Sequence, residues 1–181
     1  MSMAMISLAR AREDPPLTAA VVIALIGLAT IAGFFFFEYV LKLPPCPLCL
    51  EQRKAFYVAV PLAVLLLLGQ EYGASRKVTL LGFLAIAVAM LWNTGLATYH
   101  AGIEWKWWPG PAECSGPIGN FGPAQDLMKS LNNISLVRCD EAAWRFLGIS
   151  LAGYDVLISL ALALVALWGA RAARAKTPTS E

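Results

Sequence analysis

Charge is what this sequence has least of. Of its 181 residues only 14% are Asp, Glu, Lys or Arg, against 59% hydrophobic, and the mean hydropathy is +0.64. An ordinary soluble domain of this length does not carry so little charge, so a membrane protein is the first reading. The net charge of +2 forms no basic stripe, which removes nucleic acid from the partners to consider. No G-x-G-x-x-G run is present, so a bound dinucleotide is not expected. The residue after Cys49 is Leu50 rather than His, which excludes covalent haem, and no iron–sulfur cysteine run occurs. Histidine appears once, at position 100.

What is present is apolar and long. Runs over Leu17–Phe37, Ala55–Leu68 with Leu48–Leu50 ahead of it, Val78–Thr98 and Phe146–Trp168 predict four spans, placed at about 17–38, 47–69, 78–99 and 146–169. A helix rising about 1.5 Å per residue carries the first run across the roughly 30 Å hydrocarbon core of a bilayer. The second span requires a start at Pro47, a residue suited to a first helical turn, and passes through Pro61, where a kink is expected. The first run is too long for a signal h-region and ends in four phenylalanines without a small-residue cleavage site, so it reads as a retained span. The expected fold is all-α, an integral membrane four-helix bundle with two outer loops. Residues 1–16 and 171–181 form tails around a membrane domain over 17–170.

Lysine and arginine set the orientation. Arg10 and Arg12, then Arg76 and Lys77, then Arg171, Arg174 and Lys176 all fall on one side of a four-span chain, which predicts cytoplasmic termini. Arg53 and Lys54 are a mild counterweight on the other side.

All four cysteines then share the outer, oxidising side: Cys46 and Cys49 in the short first loop, Cys114 and Cys139 in the long second one. Spacing argues against zinc, whose ligands come as two close pairs, and the absence of a βαβ pattern argues against a thioredoxin-like motif. Two structural disulfides are the plain reading, and for Cys114 and Cys139 it has real weight. For Cys46 and Cys49 it is weak. A bridge across so few residues removes little chain entropy and is more reducible, hence more oxidising. Cys49 would sit in the first turn of the second span, where free N–H groups favour a thiolate, and Arg53 follows one turn deeper on the same face. Interfacial snorkelling is the plain reading of Arg53. With no nucleotide, haem or cluster motif to take electrons, a small molecule dissolved in the membrane is the remaining acceptor, and a quinone fits beside Cys49.

The combination of four spans, the stretch Cys46-Pro-Leu-Cys49-Leu-Glu-Gln-Arg53 and a separated cysteine pair in the second outer loop resembles the bacterial DsbB family from about residue 17 to 170. Tyr99-His100-Ala-Gly-Ile-Glu104 is also similar to the form this loop takes in many members. The resemblance implies a multi-pass inner-membrane thiol oxidase with periplasmic cysteines. It would re-oxidise a periplasmic DsbA-like dithiol protein and pass the electrons to ubiquinone or menaquinone from the membrane pool. Cys114 would be the sulfur attacked by the partner and Cys139 its disulfide mate. Cys46 and Cys49 would re-oxidise that pair, with Cys49 facing the quinone and Arg53 and His100 beside it. A proton-donating or orienting role suits His100 with Glu104 one turn on; a merely solvated interfacial histidine is the plain alternative. The runner-up function is a non-enzymatic tetraspan protein with two structural disulfides.

Asp155 falls near the middle of the fourth span, where an acid is costly enough to suggest function, but the preferred reading is structural, with Asn93 and Thr94 as hydrogen-bond partners. Trp105, Trp107 and Trp108 read as an interfacial aromatic belt. Leu127, Met128, Leu131 and Ile134 at helical spacing predict a short amphipathic helix over 121–137 on the outer membrane surface. The Pro/Gly-rich stretch around Cys114 suits an extended segment entering a partner's groove. Asn133-Ile134-Ser135 matches a glycosylation sequon, a pattern common by chance.

Overall fold

A computed structural model describes residues 14–111 and 139–175 of the chain. Four helices cross the length of a bundle: α1 Pro15–Phe35, α2 Pro47–Glu71, α3 Arg76–Glu104 and α4 Leu151–Ala175. Each is long and apolar enough to span a membrane, as the hydropathy pattern predicts.

The helix starts follow from local chemistry. Pro15 and Pro16 occupy the first turn of α1, and Pro47 that of α2, positions where the missing N–H leaves no bond unmade. Ser75 caps α3 by accepting the Val78 N–H, after a turn at Gly73 whose φ of 74° suits a residue without Cβ. α2 runs through Pro61 as one continuous helix.

Helix α1 does not stop at Phe35. It continues as a π-helical turn, Phe36–Val40, in which one extra residue per turn widens the coil. Glu38 sits in this turn.

The other departures from the hydropathy pattern lie where α3 ends and α4 begins. α3 extends through Glu104, one turn beyond the predicted end of its span. α4 begins at Leu151, because residues 145–150 form a small hairpin, β1 Arg145–Phe146 and β2 Ile149–Ser150, paired antiparallel. Its turn residues Leu147 and Gly148 both have positive φ, 49° and 82°, the geometry of a tight primed turn. Phe146 and Leu147 are therefore outer-surface residues. Asp155, expected near the middle of a span, instead lies in the second turn of α4, about 6 Å along the helix from its start.

The core is built from small residues. Ala19, Ala20, Ala59, Ala63, Ala87, Ala163 and Ala166 let the helices approach, and Phe56, Phe83, Ile23, Ile86, Met90 and Leu162 fill the space between them. At Gly169 an added Cβ would lie 2.8 Å from the Ala19 Cβ and 2.9 Å from the Phe83 ring, so α4 approaches α1 closely there with the Phe83 ring of α3 packed against the same point. Large apolar side chains such as Leu25, Leu65, Val88 and Leu164 point outward, as a lipid-facing surface requires.

Because α1 and α3 end where α2 and α4 begin, the π turn, Cys46, His100 and the hairpin collect at one end of the bundle. The opposite end carries the turn at Gly73 and the last residues of α4.

Candidate redox site

Cys46 is the N-cap of α2, and its sulfur accepts the Cys49 backbone N–H at 3.2 Å. This is the capping role that a serine or aspartate oxygen usually fills, here taken by a sulfur. The Cys49 sulfur lies 2.6 Å from it, and both are free thiols. His100 approaches from α3, its Nε2 3.6 Å from the Cys46 sulfur. Gln52, one turn into α2, donates its side-chain N–H to His100 Nδ1 at 2.9 Å. That bond leaves the ring proton on Nε2, facing Cys46.

Three donors thus converge on Cys46: the Cys49 thiol, the imidazole N–H and a helix N-terminal amide. They hold its pKa well below that of a free thiol, the Cys49 thiol foremost, although burial pushes the other way. The first-turn position of Cys49 pointed to that residue as the thiolate. In the folded chain the amide at position 49 instead serves the sulfur at 46, so the stabilised thiolate is Cys46.

The two sulfurs face different surroundings. Cys46 is 4% exposed and packs against Cys139, which is disulfide-bonded. The sulfur atoms of Cys46 and Cys139 and a ring nitrogen of His100 all lie within 4.8 Å of one another. Chain spacing argued against a metal site, yet folding brings these three ligand atoms together; with Cys139 in a disulfide they do not form a set of free thiolates. Cys139 is held in place by its neighbour: Lys106 donates to the Asp140 carboxylate at 2.7 Å and to its backbone oxygen at 2.8 Å. Cys114, the predicted helix over 121–137 and the sequon at Asn133 lie outside the described residues.

Cys49 lines a cavity of about 570 Å³ walled by α1, α2, α4 and the segments at 43–45 and 143–146. This is the size of a small-molecule site. Its walls are mostly apolar, with Phe34, Phe37, Trp144 and Phe146 among them, and its polar lining includes Gln52, Arg53 and Asp155. Trp144 stacks on Phe146 and lies against Phe37, so the hairpin and the π turn close one side together.

Arg53 is positioned by residues that sequence reasoning did not single out. Its Nη1 donates to Glu38 at 2.5 Å, and its guanidinium lies over Phe34 and Phe35, 5.3 and 5.9 Å from the ring centroids. Its Nε is buried with no partner among the described residues. Glu38, the one acid within the first apolar stretch, was the available signal for this pairing; nothing in the sequence marked Gln52 as the residue that orients His100.

His100 is not among the cavity's lining residues; it stands on the Cys46 side, 3.9 Å from Glu104 Oε1. Asp155 is held as expected by Asn93, whose Nδ2 donates to Oδ2 at 3.1 Å. The other expected partner, Thr94, donates instead to the Met90 carbonyl, and Ser159 takes that place. Of the three tryptophans, Trp108 stacks on Tyr99 and donates to its carbonyl, while Trp105 and Trp107 are exposed.

Comparison with known proteins identifies the family. The family described as "Disulfide bond formation protein DsbB" matches residues 16–169. A "Disulfide bond formation protein B" of Xanthomonas axonopodis pv. citri is 34% identical over 157 residues, covering 80% of this chain and 86% of the relative. The protein of the same name from Xylella fastidiosa (strain Temecula1) is 31% identical over 142 residues, 76% of this chain and 79% of the relative. That from Shewanella sp. (strain MR-4) is 28% identical over 133 residues, 72% and 73% respectively. A four-helix membrane bundle with a close cysteine pair capping one helix, matched over most of its length by such relatives, is a member of the DsbB family of disulfide bond formation proteins.

Proposed function

We propose that the chain is a quinone-dependent thiol oxidase that re-oxidises a periplasmic DsbA-like dithiol protein. The observation that carries this reading is the split of one cysteine pair between two surroundings: Cys46 beside the sulfur of Cys139, and Cys49 on an apolar cavity.

The cavity suits a quinone headgroup. Aromatic walls match a flat ring, and the unpartnered N–H at Arg53 Nε offers a donor for a carbonyl oxygen. Cys49, Arg53 and Gln52 would hold the headgroup, and the bound quinone would supply a two-electron sink more oxidising than an ordinary disulfide.

The residues of this chain do the rest. The partner's thiolate attacks Cys114, opening a Cys114–Cys139 disulfide and releasing the Cys139 thiolate. That thiolate attacks Cys46 when Cys46 and Cys49 are joined, forming a Cys46–Cys139 bond and releasing the Cys49 thiolate toward the cavity, and the close approach of the Cys46 and Cys139 sulfurs supports this exchange. When the partner closes its own disulfide and frees the Cys114 thiolate, that thiolate attacks Cys139, re-forms the Cys114–Cys139 bond and releases Cys46 as thiolate, which His100, with its proton directed by Gln52, stabilises. Cys49 faces the acceptor. The basic residues at both termini and at residue 76 support placing that end of the bundle in the cytoplasm, with the cysteines on the periplasmic side of the inner membrane.

Purified protein in detergent, given a reduced DsbA-like protein and a short-tailed ubiquinone, should bleach the quinone absorbance. Cys49→Ser should abolish the reaction; activity surviving that change would rule out the mechanism.

A further inference from the structure

Of the buried acids that the mechanism leaves unused, Asp155 is the one on the cavity. Asp155 is 3% exposed, within a membrane-spanning helix, and lines the same cavity as Cys49. Among the described residues no cation pairs with it: its partners are the Asn93 amide at 3.1 Å and the Ser159 hydroxyl at 3.2 Å, which are themselves joined at 2.8 Å. An ionised carboxylate so buried is a charge with no counter-cation beside it among the described residues, so a proton is what makes the group tolerable there.

The network also suits both states of the acid. As a carboxylate, Asp155 accepts from Asn93 and Ser159. As a carboxylic acid it must donate, and two acceptors are at hand: the Ser159 hydroxyl oxygen, and the Asn93 Oδ1, which is buried with no partner as the amide now stands. Turning that amide over exchanges donor for acceptor without moving a helix.

We propose that Asp155 is the proton donor of the cavity, delivering a proton to the quinone oxygen when Cys49 passes its electrons on. The inference rests on the quinone reading above. Its need arises from a proton count. Reducing a quinone to a hydroquinone takes two electrons and two protons, and a pair with Cys46 as thiolate carries one. The step balances as Cys46 thiolate, Cys49 thiol, Asp155 acid and quinone giving the Cys46–Cys49 disulfide, the hydroquinone and the Asp155 carboxylate. One negative charge stands on each side. Water re-protonates Asp155 once the hydroquinone leaves.

Other groups on the cavity do not serve. Arg53, across the cavity on α2, does not give up its proton, and the Tyr154 hydroxyl donates to the Phe146 carbonyl. α1 faces the cavity with Ile26, Ala29, Thr30, Gly33, Phe34 and Phe37, none of them titratable. From α3, His100 acts on Asp155 electrostatically but stands beside Cys46, and Glu104 lies beyond it.

The test compares wild type, Asp155→Asn and Ser159→Ala in detergent with a short-tailed ubiquinone. Asp155→Asn keeps the shape and loses the proton. It should slow quinone reduction on the order of 100-fold, the usual contribution of a general acid, while quinone affinity, read by quenching of tryptophan fluorescence, changes less than about 3-fold. Lowering the pH should restore part of its rate. Infrared difference spectra of the wild type, taken with hydroquinone just formed in the cavity minus the state before electron transfer, should show a negative aspartic acid carbonyl band that isotope labelling shifts and that Asp155→Asn lacks. Ser159→Ala removes one hydrogen bond only and should keep that band at a shifted frequency. An unchanged rate in Asp155→Asn, a loss confined to affinity, or no such band in the wild type would each overturn the proposal. A wild type that neither binds nor reduces the quinone would instead overturn the quinone reading beneath it.

Discussion

Arg53 and Glu38 offer the most direct test of how this site is held. Their side chains are 9% and 22% exposed and joined at 2.5 Å, with two phenylalanine rings against the guanidinium. Two unit charges about 4 Å apart in a medium of effective dielectric near 20 attract by about 4 kcal/mol. Water reaching the partly open Glu38 screens some of this, so a coupling of about 2 kcal/mol is expected. Arg53→Met strands the Glu38 carboxylate against apolar walls and should cost about 3 kcal/mol. Glu38→Gln should cost about 2 kcal/mol, since the rings still accept the cation. The double variant should cost about 3 kcal/mol, well below the sum, because neither charge is left alone. Reversible unfolding in mixed detergent and SDS micelles measures all four proteins. Single-variant costs that add to within about 0.5 kcal/mol would refute the pairing. Function should separate from stability: the double variant should lose quinone affinity as fully as Arg53→Met does, and normal affinity there would remove Arg53 from the binding role.

Alkylation of the reduced protein by iodoacetamide reports the thiolates. Since three donors lower the Cys46 pKa, its thiolate form persists as pH falls well below the free-thiol value of about 8.5, and the midpoint of its alkylation profile should lie correspondingly low. His100→Ala should raise that midpoint, and an unmoved profile would deny the contact. Lys106→Met releases an exposed clamp on Asp140, so disulfide exchange between the two cysteine pairs, followed by rapid acid quench, should slow by less than about 5-fold, in keeping with the small worth of surface ion pairs. A larger loss would mean that Lys106 does more than tether. Gly169→Val should destabilise the bundle by roughly 1–3 kcal/mol by forcing α4 away from Ala19 and Phe83, measured by the same micelle unfolding.

The four helices were legible in the sequence because hydrocarbon demands long apolar runs whatever the tertiary detail. The start of α2 was marked by Pro47 for the same kind of local reason. Cys46 and Cys49 declared themselves through spacing. What the sequence did not display depended on registers between helices. Glu38 reaches Arg53 from a π turn whose phenylalanines look like any other apolar stretch. Gln52 is polar but gives no sign of which neighbour it will orient. The hairpin at 145–150 was hidden because Phe146 and Leu147 add to hydropathy as well outside the bilayer as within it; only Gly148, next to a leucine with positive φ, departs from a helical pattern. Asp155 was visible as an anomaly, and its position on a cavity wall came only from where α4 begins.

The sulfur at the helix cap and the sulfur one turn later share a bond's worth of space yet look out through separate doors. Anything arriving from the loop meets residue 46, and anything lodged in the cavity meets residue 49. The two visitors never compete for one opening, so each half of the cycle can finish before the other begins. Turnover should accordingly follow ping-pong kinetics, with parallel lines in a double-reciprocal plot.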